Sequence, residues 1–75
     1  MIFYILTKNG SANRRLSARV KSMGFKYRCE KIDIGEYVYT VVDPDREKWQ
    51  MLKDMFGTDE KDFVFNEPEI DICRS

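Results

Sequence analysis

The chain has 75 residues, of which 43% are hydrophobic and 35% are charged, a composition that excludes a fully disordered protein and predicts a single small domain over residues 1–75. The formal net charge is zero, but the first 31 residues carry eight cations and one anion while the rest carry five cations and twelve anions, a sorting typical of proteins that bind through a surface of one sign. No apolar run reaches the ~20 residues of a membrane span, so we expect no membrane partner. Two cysteines without any histidine exclude a tetrahedral zinc site, and we expect no metal or cofactor. Two cysteines are also too few for a disulfide-stapled secreted domain, so we expect a cytoplasmic protein.

The residue pattern in the first third of the chain predicts a strand followed by a helix. Residues 2–6 form a continuous apolar run, which is typical of a central strand. Turn-forming residues follow, and Ser11 is suited to cap a helix that ends before Gly24, where a left-handed C-terminal cap belongs. The residues that recur on one face of this helix are Ala12, Leu16, Val20 and Met23.

The middle of the chain predicts two further strands. Residues 25–34 mix β-forming residues with charges, as expected of an edge strand whose charges discourage pairing with other chains. Residues 37–42 are all aromatic or β-branched and carry the strongest strand signal in the chain. We expect this strand to pair beside the first one.

The last third predicts a second helix and a short strand. Asp43 and Pro44 suit the cap and the first position of a helix that ends at Gly57. The buried face of this helix is predicted to consist of Trp49, Leu52, Met55 and Phe56. Residues 63–65 form a short strand, and residues 66–75 either add an edge strand or fray. The resulting βαββαβ order predicts an α+β, ferredoxin-like antiparallel sheet with two helices on one face.

The chain offers little for catalysis. It has no histidine, the residue most often used for acid–base chemistry at neutral pH, and no glycine-rich nucleotide motif. Cys29 has no activating base beside it in the sequence, and we interpret it as a strand residue and Cys73 as a terminal thiol, with a bridge between them left open. We therefore expect a non-enzymatic protein with no catalytic residues.

The first helix carries charges of one sign. Its exposed side bears four cations with no acid among them, namely Arg14, Arg15, Arg19 and Lys21. We expect Arg14 and Lys21 to share the flank nearer Ala18. Lys8 stands just before the helix N-terminus, where free N–H groups favour an anion. These cations predict contact with a polyanion or an acidic protein surface, and the alternative is pairing with the acidic half of the same chain.

Tyrosines at alternate positions provide a second indication of binding. We expect the helices to cover the sheet face that carries Phe3, Ile5, Val38 and Val42. The open face would then carry three tyrosines, Tyr4, Tyr37 and Tyr39. Residues 34–41 keep a glycine and an aromatic-Val-aromatic run, and in this they resemble the third-strand motif of RNA-recognition-motif domains, without its leading cation and in a shifted register. In that family aromatic residues on the two central strands stack on bases, which the resemblance implies for these tyrosines.

These features predict a small binding protein for RNA or single-stranded DNA. The residues predicted to bind are Lys8, Arg14, Arg15, Arg19, Lys21, Tyr4, Tyr37 and Tyr39. The alternative is a protein-binding regulator or inhibitor, in the manner of small accessory proteins of phages and mobile elements. It would dock by charge complementarity on a partner or, head to tail, on a second copy of itself as a homodimer. The near-neutral net charge favours this alternative, because most nucleic-acid binders are basic.

Overall fold

The computed structural model describes residues 1–67. Its elements, in chain order, are β1 (Ile2–Thr7), α1 (Gly10–Met23), β2 (Tyr27–Asp33), β3 (Glu36–Val42), α2 (Arg46–Phe56) and β4 (Phe63–Asn66). The four strands form one antiparallel sheet in the order β2-β3-β1-β4, so β1 and β3 are central and β2 is an edge, as predicted. Of the tail predicted over residues 66–75, Asn66 belongs to β4, and residues 68–75 lie outside the described part of the chain.

The pairing of β1 with β3 decides which side chains of β3 face the helices. Ile5 is fully buried and lies directly opposite Tyr39, and opposed residues of antiparallel strands share a face. Tyr39 and Tyr37 therefore lie on the helix side of the sheet, where both contact the core. The predicted faces of β3 are wrong, because Val38 and Val42 lie on the open side. Both sides of this strand are apolar enough to be buried, and only the register with β1 distinguishes them.

The core lies between this side of the sheet and the two helices. Trp49 of α2 packs against Phe3 and Phe65, with ring centroids 4.6 and 5.5 Å apart. Tyr39 contacts Asn13 of α1 through its hydroxyl group. Because Phe3, Phe65 and Tyr39 share one side of the sheet, both helices lie on that side. The buried apolar residues are Ile5, Ala12, Leu16, Val20, Tyr39, Val41, Trp49, Leu52, Phe56 and Phe63.

The N-cap of α1 lies two residues before the predicted cap. Asn9 is the N-cap, and its side-chain oxygen accepts a hydrogen bond of 2.8 Å from the N–H of Ala12. Ser11, the predicted cap, lies inside the helix. Both residue types are good caps, so the sequence alone did not distinguish them. Gly24 ends the helix with φ of 77°, the left-handed conformation predicted for it.

Helix α2 begins later than predicted. Asp45 is the N-cap, and its carboxylate accepts hydrogen bonds from the N–H groups of Glu47 at 2.9 Å and Lys48 at 3.2 Å. The predicted cap, Asp43, has φ of 43°, so it cannot take the extended conformation that a cap requires. Met55, predicted to be buried, is 42% exposed because it lies at the edge of the apolar stripe of α2.

Candidate binding surfaces

The cations of α1 lie on two different flanks of the helix. The buried stripe of Ala12, Leu16 and Val20 runs between them, and at about 100° per residue Arg14 and Lys21 fall on one side of it and Arg15 on the other, with Arg19 nearest to Arg15. The two flanks meet different surroundings. The flank that carries Arg15 faces the acidic turn that precedes β4. The flank that carries Arg14 and Lys21 faces the β2–β3 side of the sheet.

Arg15 pairs with the acidic half of the chain. Its guanidinium lies 3.5 Å from a carboxylate oxygen of Asp62 and 3.9 Å from one of Asp59, and it lies 5.4 Å from the centre of the Phe63 ring. Asn9 donates a hydrogen bond of 2.8 Å to the other carboxylate oxygen of Asp62. Internal pairing, the alternative left open by the sequence, is thus the role of Arg15 in this structure.

The N-terminus of α1 is a poor place for an added anion. Lys8 donates its backbone N–H to the carbonyl oxygen of Asp62 at 2.9 Å. The carboxylate of Asp62 is also held beside the first turn of the helix by Asn9. A phosphate bound there would meet this negative charge. The Lys8 side chain is exposed and forms no ion pair with residues 1–67.

A groove lies on the other flank of α1, and we call it the α1 groove. Its volume is about 620 Å³, and its lining residues are Gly10, Asn13, Arg14, Ser17, Ala18, Lys21 and Tyr37. The lining contains two cations and no acid. The helix presents small side chains here, Ser17 and Ala18, so an extended ligand has room between the two cations.

The charges of the α1 groove are not neutralised within the described chain. Arg14 and Lys21 are exposed, and neither forms an ion pair with any of residues 1–67. Arg19, on the opposite flank, is also exposed and without such a pair. Unpaired cations in a concave surface attract and retain anions more strongly than scattered cations on a convex one.

Tyr37 is the aromatic residue of the α1 groove. It is half-buried on the helix side of β3, and its backbone carbonyl accepts a hydrogen bond of 3.3 Å from the buried hydroxyl of Thr7. The strand therefore holds Tyr37 in place while part of its ring stays accessible. Its predicted place on the open face is wrong, but the structure brings it beside two of the predicted cations, Arg14 and Lys21.

Tyr39 supports the groove from below and is not itself accessible. It is 1% exposed, and its hydroxyl contacts Asn13, one of the lining residues. Burial raises the pKa of the Tyr39 hydroxyl, and the neighbouring Cys29 thiol raises it further, so Tyr39 stays a neutral hydrogen-bond donor. Base stacking is excluded for a side chain this deeply buried.

The open face of the sheet, opposite the helices, forms a second surface. It carries side chains from all four strands, half of them aliphatic: Ile2, Tyr4, Leu6, Arg28, Glu30, Val38, Thr40, Val42, Val64 and Asn66. None of these is fully buried. Tyr4 lies as predicted on this face and is 45% exposed. It belongs to a polar row in which Arg28, Thr40, Tyr4 and Asn66 lie opposite one another across the sheet.

Sequence reasoning missed several residues of both surfaces. Asn13 and Ser17 line the α1 groove with Lys21 at steps of four residues, a helical spacing that was readable in the sequence. Arg28 and Thr40 join Tyr4 on the open face only through strand pairing, which no local pattern indicates. The two surfaces lie on opposite sides of the sheet, so Tyr4 does not act together with the α1 cations.

The described residues contain no cluster of three potential metal ligands. Within residues 1–67 there is also no helix long and apolar enough to cross a membrane. No protein-family model matches the chain, and no curated protein matches it at a significant level.

Proposed function

We propose that the protein is a non-enzymatic binder of single-stranded nucleic acid, RNA or DNA, and that the α1 groove is its binding site. The observation that carries this proposal is that Arg14, Lys21 and Tyr37 line one concave surface without any acid. Cations that contact phosphates and an aromatic ring that stacks on a base are the two elements of single-strand recognition.

The spacing of the two cations supports an extended ligand. Arg14 and Lys21 are two helical turns apart, which is ~10 Å along the helix axis at 1.5 Å per residue. A single bound phosphate would contact one of them, whereas a strand laid along α1 contacts both. Duplex nucleic acid fits less well, because its bases are stacked within the duplex and cannot stack on the ring of Tyr37.

The ferredoxin-like architecture is part of this proposal. It is supported by the positions of the helices after β1 and β3, and by the strand order β2-β3-β1-β4. A cytoplasmic location is part of the proposal as well, and it is supported by the cysteine usage, because two cysteines in the chain are too few for the disulfide framework of a small secreted domain.

A binding panel tests the proposed function. Fluorescence anisotropy with labelled oligouridine, oligothymidine and a matched duplex, at several salt concentrations, is expected to show binding to the single strands that weakens steeply with salt. If the protein binds neither single strand at low salt, the proposal is wrong. If it binds the duplex as tightly as the single strands, the preference for single strands is wrong.

A protein-binding regulator or inhibitor is a second candidate function, and the open face favours it. Half of its side chains are aliphatic and two of these are exposed, with Tyr4 near its centre and Arg28 at its edge, and partly apolar surfaces with tyrosine and arginine anchors are typical of protein interfaces. A partner bound there should be lost in the variant Tyr4→Lys and retained in Arg14→Ala. The reverse result would assign the partner to the α1 groove.

A further inference from the structure

The outer edge of β2 is free of contact with any other described strand. The hydrogen bond from the N–H of Val42 to the carbonyl oxygen of Lys26, at 3.0 Å, fixes the phase of the β2–β3 pair. Because hydrogen-bonded pairs alternate in an antiparallel ladder, Arg28 and Glu30 direct their backbone groups toward β3. The residues whose backbone groups point outward are Tyr27, Cys29 and Lys31.

We infer that two copies of this chain pair antiparallel through their β2 strands, around a two-fold axis at Cys29. In this register Arg28 of each copy lies opposite Glu30 of the other. Directly opposed side chains of opposite charge stabilise antiparallel pairs. The backbone groups of Tyr27, Cys29 and Lys31 then complete hydrogen-bonded pairs across the interface, which extends the sheet from four strands to eight.

The charges of β2 disfavour the neighbouring registers. A two-fold axis perpendicular to the sheet keeps the side chains of both copies on the same faces of the enlarged sheet. Opposed residues then share a face, so the axis passes between one residue and the same residue of the second copy. An axis at Arg28, Glu30 or Lys31 places that residue opposite its own copy, with like charges in contact. An axis at Tyr27 places Lys26 opposite Arg28. The charges of β2 therefore disfavour these four registers.

One other register also brings opposite charges together, but the edge there is irregular. An axis at Ile32 would place Lys31 opposite Asp33 of the second copy. The ladder between β2 and β3 shifts register between these two residues, and the turn to β3 follows at once. The regular part of β2, from Tyr27 to Lys31, is the part used by the axis at Cys29.

This pairing would enlarge the proposed nucleic-acid site. A two-fold axis perpendicular to the sheet leaves both α1 helices on the same side, with their grooves facing each other over the paired β2 strands. Lys31 lies opposite Tyr37 on the helix side of the sheet, so two further cations would lie between the grooves. The enlarged site rests on the proposed function, whereas the pairing of β2 strands does not.

Charge reversal at the two opposed positions tests the pairing. In sedimentation equilibrium we expect a dimer that weakens as salt rises, and roughly 10-fold weaker dimerisation for Arg28→Glu or Glu30→Arg alone. The double variant Arg28→Glu/Glu30→Arg should recover the wild-type affinity, because the opposed charges are again opposite. Glu60→Arg, an exposed acid in the turn before β4, is the matched control and should leave dimerisation unchanged.

A thiol crosslink tests the position of the axis. In a Cys73→Ser background, a short bismaleimide should join the two Cys29 thiols into a covalent dimer, because paired Cα atoms at the axis are ~5.5 Å apart. A monomer at every concentration, a double variant that fails to recover, or a dimer whose Cys29 thiols do not crosslink would each overturn the inference. Loss of nucleic-acid binding with an intact dimer would instead overturn only the proposed function.

Discussion

The hydroxyl group of Tyr39 contacts Asn13 across the interface between the sheet and α1, 3.3 Å from its backbone carbonyl oxygen and also close to its side-chain oxygen. Tyr39 is among the most deeply buried side chains of the protein, whereas Asn13 is partly exposed, so this polar contact lies at the border of the core. Asn13 also lines the α1 groove. The tyrosine that the sequence assigned to base stacking therefore holds a wall of the groove against the sheet.

Removing this hydroxyl should destabilise the protein without disturbing its packing. We expect Tyr39→Phe to lower the free energy of unfolding by about 0.5–1.5 kcal/mol, the usual net contribution of such a hydrogen bond. Urea denaturation measures the change. Tyr4→Phe, on the exposed open face, is the matched control and should change stability by less, because water replaces its hydrogen bonds. Equal effects of the two substitutions would contradict a buried bond between Tyr39 and Asn13.

The buried hydroxyl should also make the protein sensitive to alkali. Burial raises the pKa of Tyr39, so above pH ~10, the ordinary tyrosine value, the unfolded chain releases a proton that the folded chain retains. The stability contributed by this group is therefore present below that pH and is lost as the pH rises further. Unfolding free energies from about pH 8 to 11 should fall more steeply for the wild type than for Tyr39→Phe.

The secondary structure could be predicted from the sequence because its signals are local. The apolar spacing of Leu16 and Val20, the glycine after α1 and the β-branched run of β3 all act within a few residues. The face of β3 could not be predicted in this way. Tyr39 and Val38 are both suited to burial, and the choice depends on the pairing of Tyr39 with Ile5, which is 34 residues away in the chain.

The candidate site was predictable only in part for the same reason. Helical spacing placed Arg14 and Lys21 on one flank of α1, and both line the groove. The same spacing could not show that Arg15 meets Asp62, a residue 47 positions later. Adjacent arginines with the same local sequence context thus have different roles, because one flank of the helix faces an acidic turn and the other faces solvent beside Tyr37.

The aromatic contacts of α2 predict that the core depends on Trp49. This residue is 5% exposed and packs against Phe3 and Phe65. We expect Trp49→Ala to cost about 3–5 kcal/mol, a large part of the stability of so small a domain. Met55→Ala, at the exposed edge of the same helix, should cost far less. Urea unfolding followed by circular dichroism measures both, and similar costs would show that the packing of α2 is misassigned.

Glu67 should contribute stability that is lost in acid. The ammonium group of Lys53 lies 2.6 Å from its carboxylate, and the indole N–H of Trp49 donates to the same oxygen at 3.1 Å. These contacts hold the pKa of Glu67 below its usual value. A depressed folded-state pKa stabilises the fold above the unfolded pKa of about 4.3 and stops doing so as the pH falls through the folded value.

The variant Glu67→Gln tests this contribution. Because the carboxylate is partly exposed, we expect a loss of only ~0.2–1 kcal/mol at neutral pH, with a shallower fall in stability on acidification than in the wild type. Glu60→Gln, which removes an exposed acid elsewhere, is the matched control for the loss of one negative charge and should change the stability at neutral pH by less. A wild-type curve that matches Glu67→Gln at every pH would show that these contacts contribute nothing.

The two adjacent arginines Arg14 and Arg15 provide the sharpest test of the α1 groove. Each substitution to alanine removes one positive charge from the same turn of the same helix, so changes in net charge and helix propensity are matched. Arg14 lines the groove, whereas Arg15 pairs with Asp59 and Asp62. Arg14→Ala should therefore weaken single-strand binding and reduce the slope of log affinity against log salt by about 0.7, the value for one lost phosphate contact.

Arg15→Ala should have the opposite profile. We expect it to leave the affinity and the salt slope close to wild type, and to lower the free energy of unfolding by ~1 kcal/mol or less, as for other exposed ion pairs. Anisotropy titrations and urea denaturation of both variants separate the two roles. If both substitutions weaken binding equally, the ligand responds to the charge of the whole helix. If Arg15→Ala weakens it more, the strand follows the acidic-turn flank, and the α1 groove is not the site.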